Sequence, residues 1–262
     1  MAPAAEYAPE RVVGELKSPT TFAVSGEGSV AWLEAGNGAP ILRPKRGETF
    51  SLSVPARARA VTEDEKGQII VLAGDTQTGY KIHYFRENQR VRSIDIKPSA
   101  PIPAPIDIAA GNEIVWILQQ KPPLAVFFGS DGAELGRTDL TEKARAPFSI
   151  AVDHAGRAFI TDPTGPAVLE LNPYGQIKAV HGLPGSGFTR PTGIAAGFSG
   201  RIWISDTVLN EIGAFKESGQ GLARDDLVLP LHAQDPLRLA VNPGELWVLQ
   251  GWHGAVVRFK IE

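Results

Sequence analysis

The groups with which this chain could do chemistry are carboxylates, arginines and five histidines, because it contains no cysteine. A metal could therefore not be held by thiolates. Three histidines, His181, His232 and His253, fall where loops of one face are predicted, and three imidazoles could hold zinc with one open position. They show no ligand-spacing motif, and His83 and His154 map to a strand and to the opposite face. We therefore expect no metal and no other cofactor.

Three short segments resemble ligand-binding or catalytic motifs but lack the context that those motifs need. Gly197–Gly200 contains a serine, but it joins two predicted strands and lacks the second half of a nucleophile elbow. Gly182–Gly187 is glycine-rich, but no helix follows that could present its N-terminus to a phosphate. No calcium loop of alternating acids is present. We therefore expect no catalytic residue.

A repeated motif, Pro-x-x-apolar-Ala, organises the chain. It starts at Pro19, Pro105, Pro147, Pro191 and Pro236, and a looser copy with one extra residue starts at Pro55. Successive prolines lie 36, 50, 42, 44 and 45 residues apart, a period typical of one four-stranded blade of a β-propeller. The 28 glycines and 21 prolines separate short apolar runs, which also favours many short strands.

A second strand in each repeat is centred on a large apolar residue, in four cases a tryptophan. The centres are predicted at Trp32, Val71, Trp116, Phe159, Trp203 and Trp247. Such a column could form an aromatic ligand cage. A position that recurs in the middle of a strand in every blade is more typical of packing between blades.

The last repeat stops after its third strand, and an unassigned strand-like segment, 11–17, precedes the first proline. We predict that this segment completes the last blade, which would leave no open sheet edge at the junction. An open array or two separate domains would leave both ends unpaired. The predicted fold is all-β: a single six-bladed β-propeller domain over residues 1–262, with four antiparallel strands per blade. The predicted blades are 19–54, 55–104, 105–146, 147–190, 191–235, and 236–262 with 11–17.

Residues 191–220, PTGIAAGFSGRIWISDTVLNEIGAFKESGQ, resemble an NHL repeat, and residues 147–176 match its pattern nearly as well. The other four blades keep only the order of strands and turns. The Asp…Asn loop of the family survives only at Asp206 and Asn210, and tryptophan stands where most members carry tyrosine. The resemblance implies a six-bladed propeller.

The chain direction predicts which loops share a face. Loops from the second to the third strand, and segments that lead into each blade, lie on one face, here called the upper face. These loops vary in length and composition while the strands repeat, which is typical of a binding surface on a rigid scaffold. Asp162, Asp206, Asn210 and Arg190 belong to this face, and we expect them to contribute to binding.

The second variable position of the motif begins each innermost strand at the mouth of the channel. It is occupied by Thr21, Asp107, Ser149, Gly193 and Arg238, and Asp107 and Arg238 fall on opposite blades. This mixed ring could hold a small polar ligand or ordered water, or it could serve only structural hydrogen bonds. It is poor in groups that bind metals.

The loop Gly251–Gly254 carries Trp252 and His253, outside the tryptophan column. A tryptophan between glycines can be an exposed anchor for a partner, and it can also cover the channel mouth as a lid. Both interpretations remain open from the sequence, and both residues are candidate binding residues.

Charge and composition exclude some classes of partner. The formal net charge is −3, and no run of like charge is present. Arg59, Arg145 and Arg190 lie near blade entries, and RNA-binding NHL relatives use such a basic rim; the stacking aromatics are missing, so we expect no nucleic-acid partner. No apolar run is long enough for a spanning helix, so we expect no membrane insertion. The N-terminal segment resembles the start of a mature exported protein, which favours the periplasm or the cell exterior over the cytoplasm without deciding the compartment.

Two function classes follow. The first is a non-enzymatic scaffold that presents its upper face to a protein or peptide partner, alone or within a larger assembly. The second is a metal-dependent lyase or lactonase, as some six-bladed propellers are, with a metal at the channel mouth held by His or by Glu, Asn and Asp. Because the ring contains Thr21, Ser149 and Gly193 at the corresponding positions, the sequence favours the first class.

Overall fold

The fold is a ring of six small antiparallel sheets, which confirms the predicted six-bladed propeller. The computed structural model describes residues 9–36, 38–197, 200–218, 221–225 and 231–261. Phe198 and Ser199 of the 197–200 segment, Asn37 of an upper-face loop and Gly219 of a turn lie outside these ranges. Across the described part of the chain, no helix has the length and apolar character needed to cross a membrane.

The described chain begins with strand β1 (Glu10–Val13), and the first three complete blades follow it. Blade 1 consists of β2 (Pro19–Val24), β3 (Val30–Glu34), β4 (Ile41–Arg43) and β5 (Phe50–Ser51). Blade 2 consists of β6 (Ala58–Glu63), β7 (Ile69–Asp75), β8 (Gly79–Arg86) and β9 (Gln89–Asp95). Blade 3 consists of β10 (Pro105–Gly111), β11 (Ile114–Gln119), β12 (Leu124–Phe128) and β13 (Glu134–Asp139).

The second half of the ring repeats this order. Blade 4 consists of β14 (Ser149–Val152), β15 (Ala158–Asp162), β16 (Ala167–Leu171) and β17 (Ile177–Gly182), after which Pro184–Ser186 form a 3-10 turn. Blade 5 consists of β18 (Pro191–Ala196), β19 (Ile202–Asp206), β20 (Glu211–Ser218) and β21 (Gly221–Arg224), with β22 (Leu231–His232) paired to β20. Blade 6 consists of β23 (Pro236–Asn242), β24 (Glu245–Gln250) and β25 (Ala255–Lys260) with β1. The first strand of each blade contacts the first strands of its neighbours, so these strands line the channel.

The core consists of six buried apolar clusters, one at each interface between adjacent blades. At these interfaces, large side chains of the second strands face the alanine of the repeated motif. Trp116, for example, stands opposite Ala109 and packs with residues of blade 4. Phe159, Trp203 and Trp247 occupy the same position in their blades. The tryptophan column is therefore packing between blades.

The predicted column was wrong by one residue in the first two blades. Trp32 stands opposite Phe22, and Ala31 holds the column position opposite Ala23. Val71 is likewise displaced, because Leu72 is the residue opposite Ala60. Since successive side chains of a strand point to opposite faces, a shift of one residue turns Trp32 towards blade 6, where it packs with Trp247.

The N-terminal strand closes the ring, as predicted. Strand β1 pairs antiparallel with β25, although it is shorter than the predicted segment 11–17. Val13 and Leu16 are buried in the cluster between blades 6 and 1. The Leu16 backbone N–H donates to the Gly254 carbonyl at 2.9 Å. A Cβ atom on Gly254 would lie 2.2 Å from the Leu16 carbonyl oxygen, so a glycine is required for this close approach.

Deletion of residues 1–17 should destabilise the whole domain, because it exposes the edge of β25 and removes two buried apolar side chains. The loss of Leu16 and Val13 alone predicts a fall in unfolding free energy of roughly 3 kcal/mol or more. Urea denaturation followed by tryptophan fluorescence measures it. Glu10→Gln is the control and should change stability little, since Glu10 is exposed and its side chain forms a surface ion pair with Arg258. An unchanged unfolding midpoint after the deletion would show that closure contributes nothing.

Candidate functional site

The channel mouth contains a buried ion pair between opposite blades. The Nε atom of Arg238 lies 3.9 Å from Oδ2 of Asp107. Their exposed fractions are 7% and 5%, so water screens the pair little. The structure thus brings together two residues that the repeat placed on opposite sides of the ring.

Asp107 is held from one side by the first strand of blade 4. Its Oδ2 atom accepts hydrogen bonds from Ser149 Oγ at 2.9 Å and from the Ile150 backbone N–H at 3.0 Å. Burial raises the pKa of the Asp107 carboxyl overall, although the Arg238 guanidinium and these donors oppose the rise. The carboxylate is therefore committed to contacts within the ring.

Arg238 packs closely against Phe148 and against Gly193 of blade 5. Its guanidinium lies 3.9 Å from the centroid of the Phe148 ring, in a cation–π contact. A Cβ atom on Gly193 would lie 2.9 Å from the Arg238 Cα, so the small residue in the ring allows blade 6 to approach blade 5. Arg238 Nε and Nη1 have no hydrogen-bond acceptor among the described residues, and burial lowers the pKa of this guanidinium while Asp107 raises it.

The pair divides the channel into two separate spaces. Thr20, Phe148, Thr192 and Leu237, each directly after a motif proline, line a groove of about 650 Å³ on the upper face. Residues one or more positions beyond the ring line a cavity of about 390 Å³ towards the lower face. Asp107 and Arg238 occupy the ring position. In each inner strand that position follows the residue next to the motif proline and precedes the residues that line the lower cavity. Neither Asp107 nor Arg238 lines either space.

The upper groove combines an apolar floor with a few exposed groups. Leu16, Phe148 and Leu237 contribute apolar surface, and Arg190 and Trp252 stand at its border. Trp252 has 92% of its surface exposed, so it does not cover the channel as a lid. Arg190 is also exposed, and its guanidinium has no ion pair within the described ranges. Two of the predicted binding residues therefore reach this groove directly.

Asp206 and Asp162 act on the backbone of the upper face. Asp206 Oδ2 accepts the backbone N–H groups of Thr189 at 2.6 Å and of Arg190 at 2.7 Å. In blade 4, Asp162 Oδ2 likewise accepts the backbone N–H of Arg145 at 2.7 Å. Burial raises the pKa of each carboxyl, but these N–H donors outweigh it and lower the pKa overall. Both residues hold the segments that enter a blade, and both are buried.

Asn210 is linked to Trp252 through a third residue that the sequence did not single out. Asn210 Oδ1 accepts the Asp235 backbone N–H at 2.7 Å. Asp235 Oδ2 in turn accepts the Trp252 backbone N–H at 2.7 Å. The loop that carries the exposed indole is thereby fixed to blade 5.

The histidines do not converge. His253 is exposed beside Trp252 but does not line the groove, and His232 is exposed in β22. His181 was predicted in an upper-face loop, which is wrong: it is buried in β17, where its Nε2 lies 2.9 Å from Glu170 Oε2. His83 lies in the third strand of blade 2 and His154 in a lower-face turn, as predicted.

The ring residues do not fit a metal at the channel mouth. Asp107 is its one carboxylate, and it is bound by Ser149 and Ile150. A metal cation beside Asp107 would also lie next to the Arg238 guanidinium, which would repel it. Within the part of the chain that the structure describes, no group of three or more His, Asp or Glu is placed to hold a metal ion.

Sequence reasoning missed an ionic network between blades 4 and 5. Glu170 Oε1 lies 3.0 Å from both Arg157 Nη1 and Lys178 Nζ, and both cations also contact Glu217. His181 contacts the other oxygen of Glu170. The sequence feature that could have revealed this network is Glu170, a carboxylate within the apolar run Ala167–Leu171, because buried carboxylates are found with charged or hydrogen-bonding partners.

No family model and no curated protein matches the chain. Solved six-bladed propellers do. A virginiamycin B lyase from Staphylococcus aureus is 16% identical, with a TM-score of 0.65 over 97% of this chain and 88% of its own. A luciferin-regenerating enzyme is 11% identical, with a TM-score of 0.72 over 97% and 96%. A protein proposed to be a gluconolactonase is 14% identical, with a TM-score of 0.68 over 98% and 93%. Likeness at these identities shows the fold alone.

Asp107→Asn should destabilise the protein by roughly 3–5 kcal/mol, because it leaves the Arg238 charge buried without a partner. The double variant Asp107→Asn/Arg238→Met should recover much of this loss, since it removes both buried charges. Ser149→Ala, which removes one donor to the same carboxylate, should cost about 1 kcal/mol. Urea denaturation at pH 7 gives all three values. If Asp107→Asn cost no more than Ser149→Ala, the cross-channel pair would not be maintained in solution.

Proposed function

We propose that this protein is a non-enzymatic binding module whose upper face takes a peptide segment of a partner protein. The segment would present an aliphatic or aromatic side chain next to a carboxylate. The module would act alone or as a subunit of a larger assembly. The upper groove is the proposed site, with Trp252 and Arg190 as its two recognition groups.

The observation that carries this proposal is the placement of Trp252. Its indole is exposed, yet its backbone is fixed by Asp235, which Asn210 holds in turn. An indole on a fixed loop loses little conformational entropy on binding, and tryptophan is among the residues that contribute most to interface energy. Leu237 and Phe148 provide apolar surface beside it on which a partner side chain could be buried.

Arg190 indicates which charge the proposed partner should carry. Its backbone is fixed by Asp206, while its guanidinium is exposed at the edge of the groove. A guanidinium binds a carboxylate through two parallel hydrogen bonds, which adds direction as well as affinity. A carboxylate of the partner, from a side chain or a C-terminus, would complement it.

Kinship with the NHL-repeat propellers is part of the proposal. It is supported by the strand and turn pattern of residues 147–176 and 191–220. In this chain the Asp of that pattern, Asp162 or Asp206, ties the end of a second strand to the entry of its own blade. Such ties make the upper face rigid, as a scaffold for binding requires.

A second candidate is an enzyme of the lyase or lactonase class, and the fold shared with a virginiamycin B lyase and a proposed gluconolactonase favours it. Metal analysis of the purified protein, with melting curves before and after chelation, separates the two candidates. A stoichiometric ion together with a large fall in melting temperature on chelation would favour the enzyme.

Selection from a phage-displayed library of random peptides tests the binding proposal directly. We expect enrichment of peptides with an aromatic or aliphatic residue next to Asp or Glu. Trp252→Ala should weaken their binding roughly tenfold or more, because it removes the exposed anchor. Arg190→Gln should weaken only the peptides that carry a carboxylate. Fluorescence anisotropy with labelled peptides measures both effects.

Tyr174→Ala is the matched control. Tyr174 is a large exposed aromatic residue, 82% exposed, in a lower-face turn of blade 4. Its removal should leave peptide affinity unchanged. Equal losses from Trp252→Ala and Tyr174→Ala, or a library that yields no binder, would refute the upper-face site.

A further inference from the structure

The lower part of the channel is a cavity of about 390 Å³ that the upper-face proposal does not use. The inner strands of all six blades contribute to its wall. Most of the lining is small or aliphatic, including Ala110, Ala196 and Val241. The Arg238–Asp107 pair lies above it in the inner strands, so the cavity ends at the pair and opens towards the lower face. Its volume falls in the range of small-molecule sites.

Glu63, at the end of β6, is the polar group that distinguishes this wall. Its Oε2 atom is buried and has no hydrogen-bond partner among the described residues. A carboxylate oxygen without a partner in an apolar wall is costly, and such atoms call for an explanation. Burial, with a contribution from Asp64, raises the pKa of Glu63 to about 8.

The other titratable groups around the cavity are already engaged or lie at its rim. Asp64 Oδ1 accepts the backbone N–H groups of Lys66 and Gln68, each at 2.9 Å. Asp153 is bound by Arg157 at 2.8 Å. Glu65 accepts the backbone N–H of Asn112 at 2.6 Å, and His154 lies in the turn at the lower rim. Among the described residues, no lysine or arginine lines the cavity, and its titratable lining consists of four carboxylates and His154.

We propose that this cavity binds a small organic ammonium compound, with the ammonium group on Glu63 and an apolar group against the alanine-rich wall. The ammonium would donate a hydrogen bond to the unpartnered Oε2 atom. Its charge would compensate the ionised carboxylate, as burial of a charge requires. The carboxylates of Asp64 and Glu65 at the rim would favour entry of a cation.

Other ligand classes fit less well. An anion would meet the acidic rim and Glu63. A bare metal ion needs several oxygen or nitrogen ligands. The described residues of this wall include no group of three His, Asp or Glu side chains placed to hold one. Binding of the ammonium form to ionised Glu63 below pH 8 displaces the carboxyl proton, which passes to the solvent. Affinity should therefore increase from pH 6 to pH 8, provided that the ligand stays protonated.

Isothermal titration with 2-phenylethylamine hydrochloride tests the proposal, with 2-phenylethanol as the neutral analogue of the same shape. We expect the amine to bind at least tenfold more tightly than the alcohol at pH 8. Glu63→Gln should abolish this preference, because the amide can accept a hydrogen bond but carries no charge. Glu48→Gln is the matched control, since it removes the same charge from an exposed loop that does not line the cavity and should retain the preference.

Stability gives a second readout that does not depend on a ligand. The pKa of folded Glu63 lies above its ordinary value of 4.5, so folded protein binds the proton more tightly than unfolded protein. Its contribution to stability is thus present below pH 4.5 and is lost as the pH rises to about 8. Glu63→Gln should therefore raise the melting temperature relative to the parent more at pH 8.5 than at pH 5. Equal affinities for amine and alcohol, or a preference that survives Glu63→Gln, would overturn the proposal; a pH-independent melting difference would contradict the desolvated carboxyl on which it rests.

Discussion

Every blade depends on its neighbours, because a four-stranded sheet of this kind carries apolar side chains on both faces. The six buried clusters lie between blades, and each is shared by two of them. An array with a gap would expose two of these faces at once. The pairing of β1 with β25 is therefore a condition for the stability of all six blades, and it explains why Leu16 packs so closely against Gly254.

Closure has a consequence at the axis. It brings the inner strands of opposite blades close enough for Arg238 to reach Asp107, so that the channel is closed by charged groups and Phe148. A buried ion pair repays its desolvation poorly compared with apolar packing, so stability alone is a weak reason for this pair. Its position is clearer: in the inner strands it lies between the residues that line the upper groove and those that line the lower cavity.

The fold could be predicted from the sequence because the repeat is a property of spacing. The motif prolines placed Asp107 and Arg238 on opposite blades, and the unpaired segment before Pro19 indicated the closure. Details of register could not be predicted in the same way. Trp32 lies in the expected part of the second strand, but strand pairing decides which face of the sheet its side chain occupies. The repeat locates this strand only to within one residue, and a difference of one residue reverses the face.

The groups at the two candidate sites differ in how well the sequence identified them, and the reason is physical. Trp252 could be recognised because a loop tryptophan between glycines departs from the repeat. Asp162 and Asp206 were also recognised, but the sequence does not reveal that their carboxylate oxygens accept hydrogen bonds from backbone N–H groups. Glu63 was missed because it stands next to Asp64 and Glu65 and looks like part of a solvated acidic turn. Only the packing of the six inner strands shows that Oε2 of Glu63 is buried at a largely apolar wall without a hydrogen-bond partner. Of the three acidic residues, Glu63 is therefore the one whose negative charge most needs a partner.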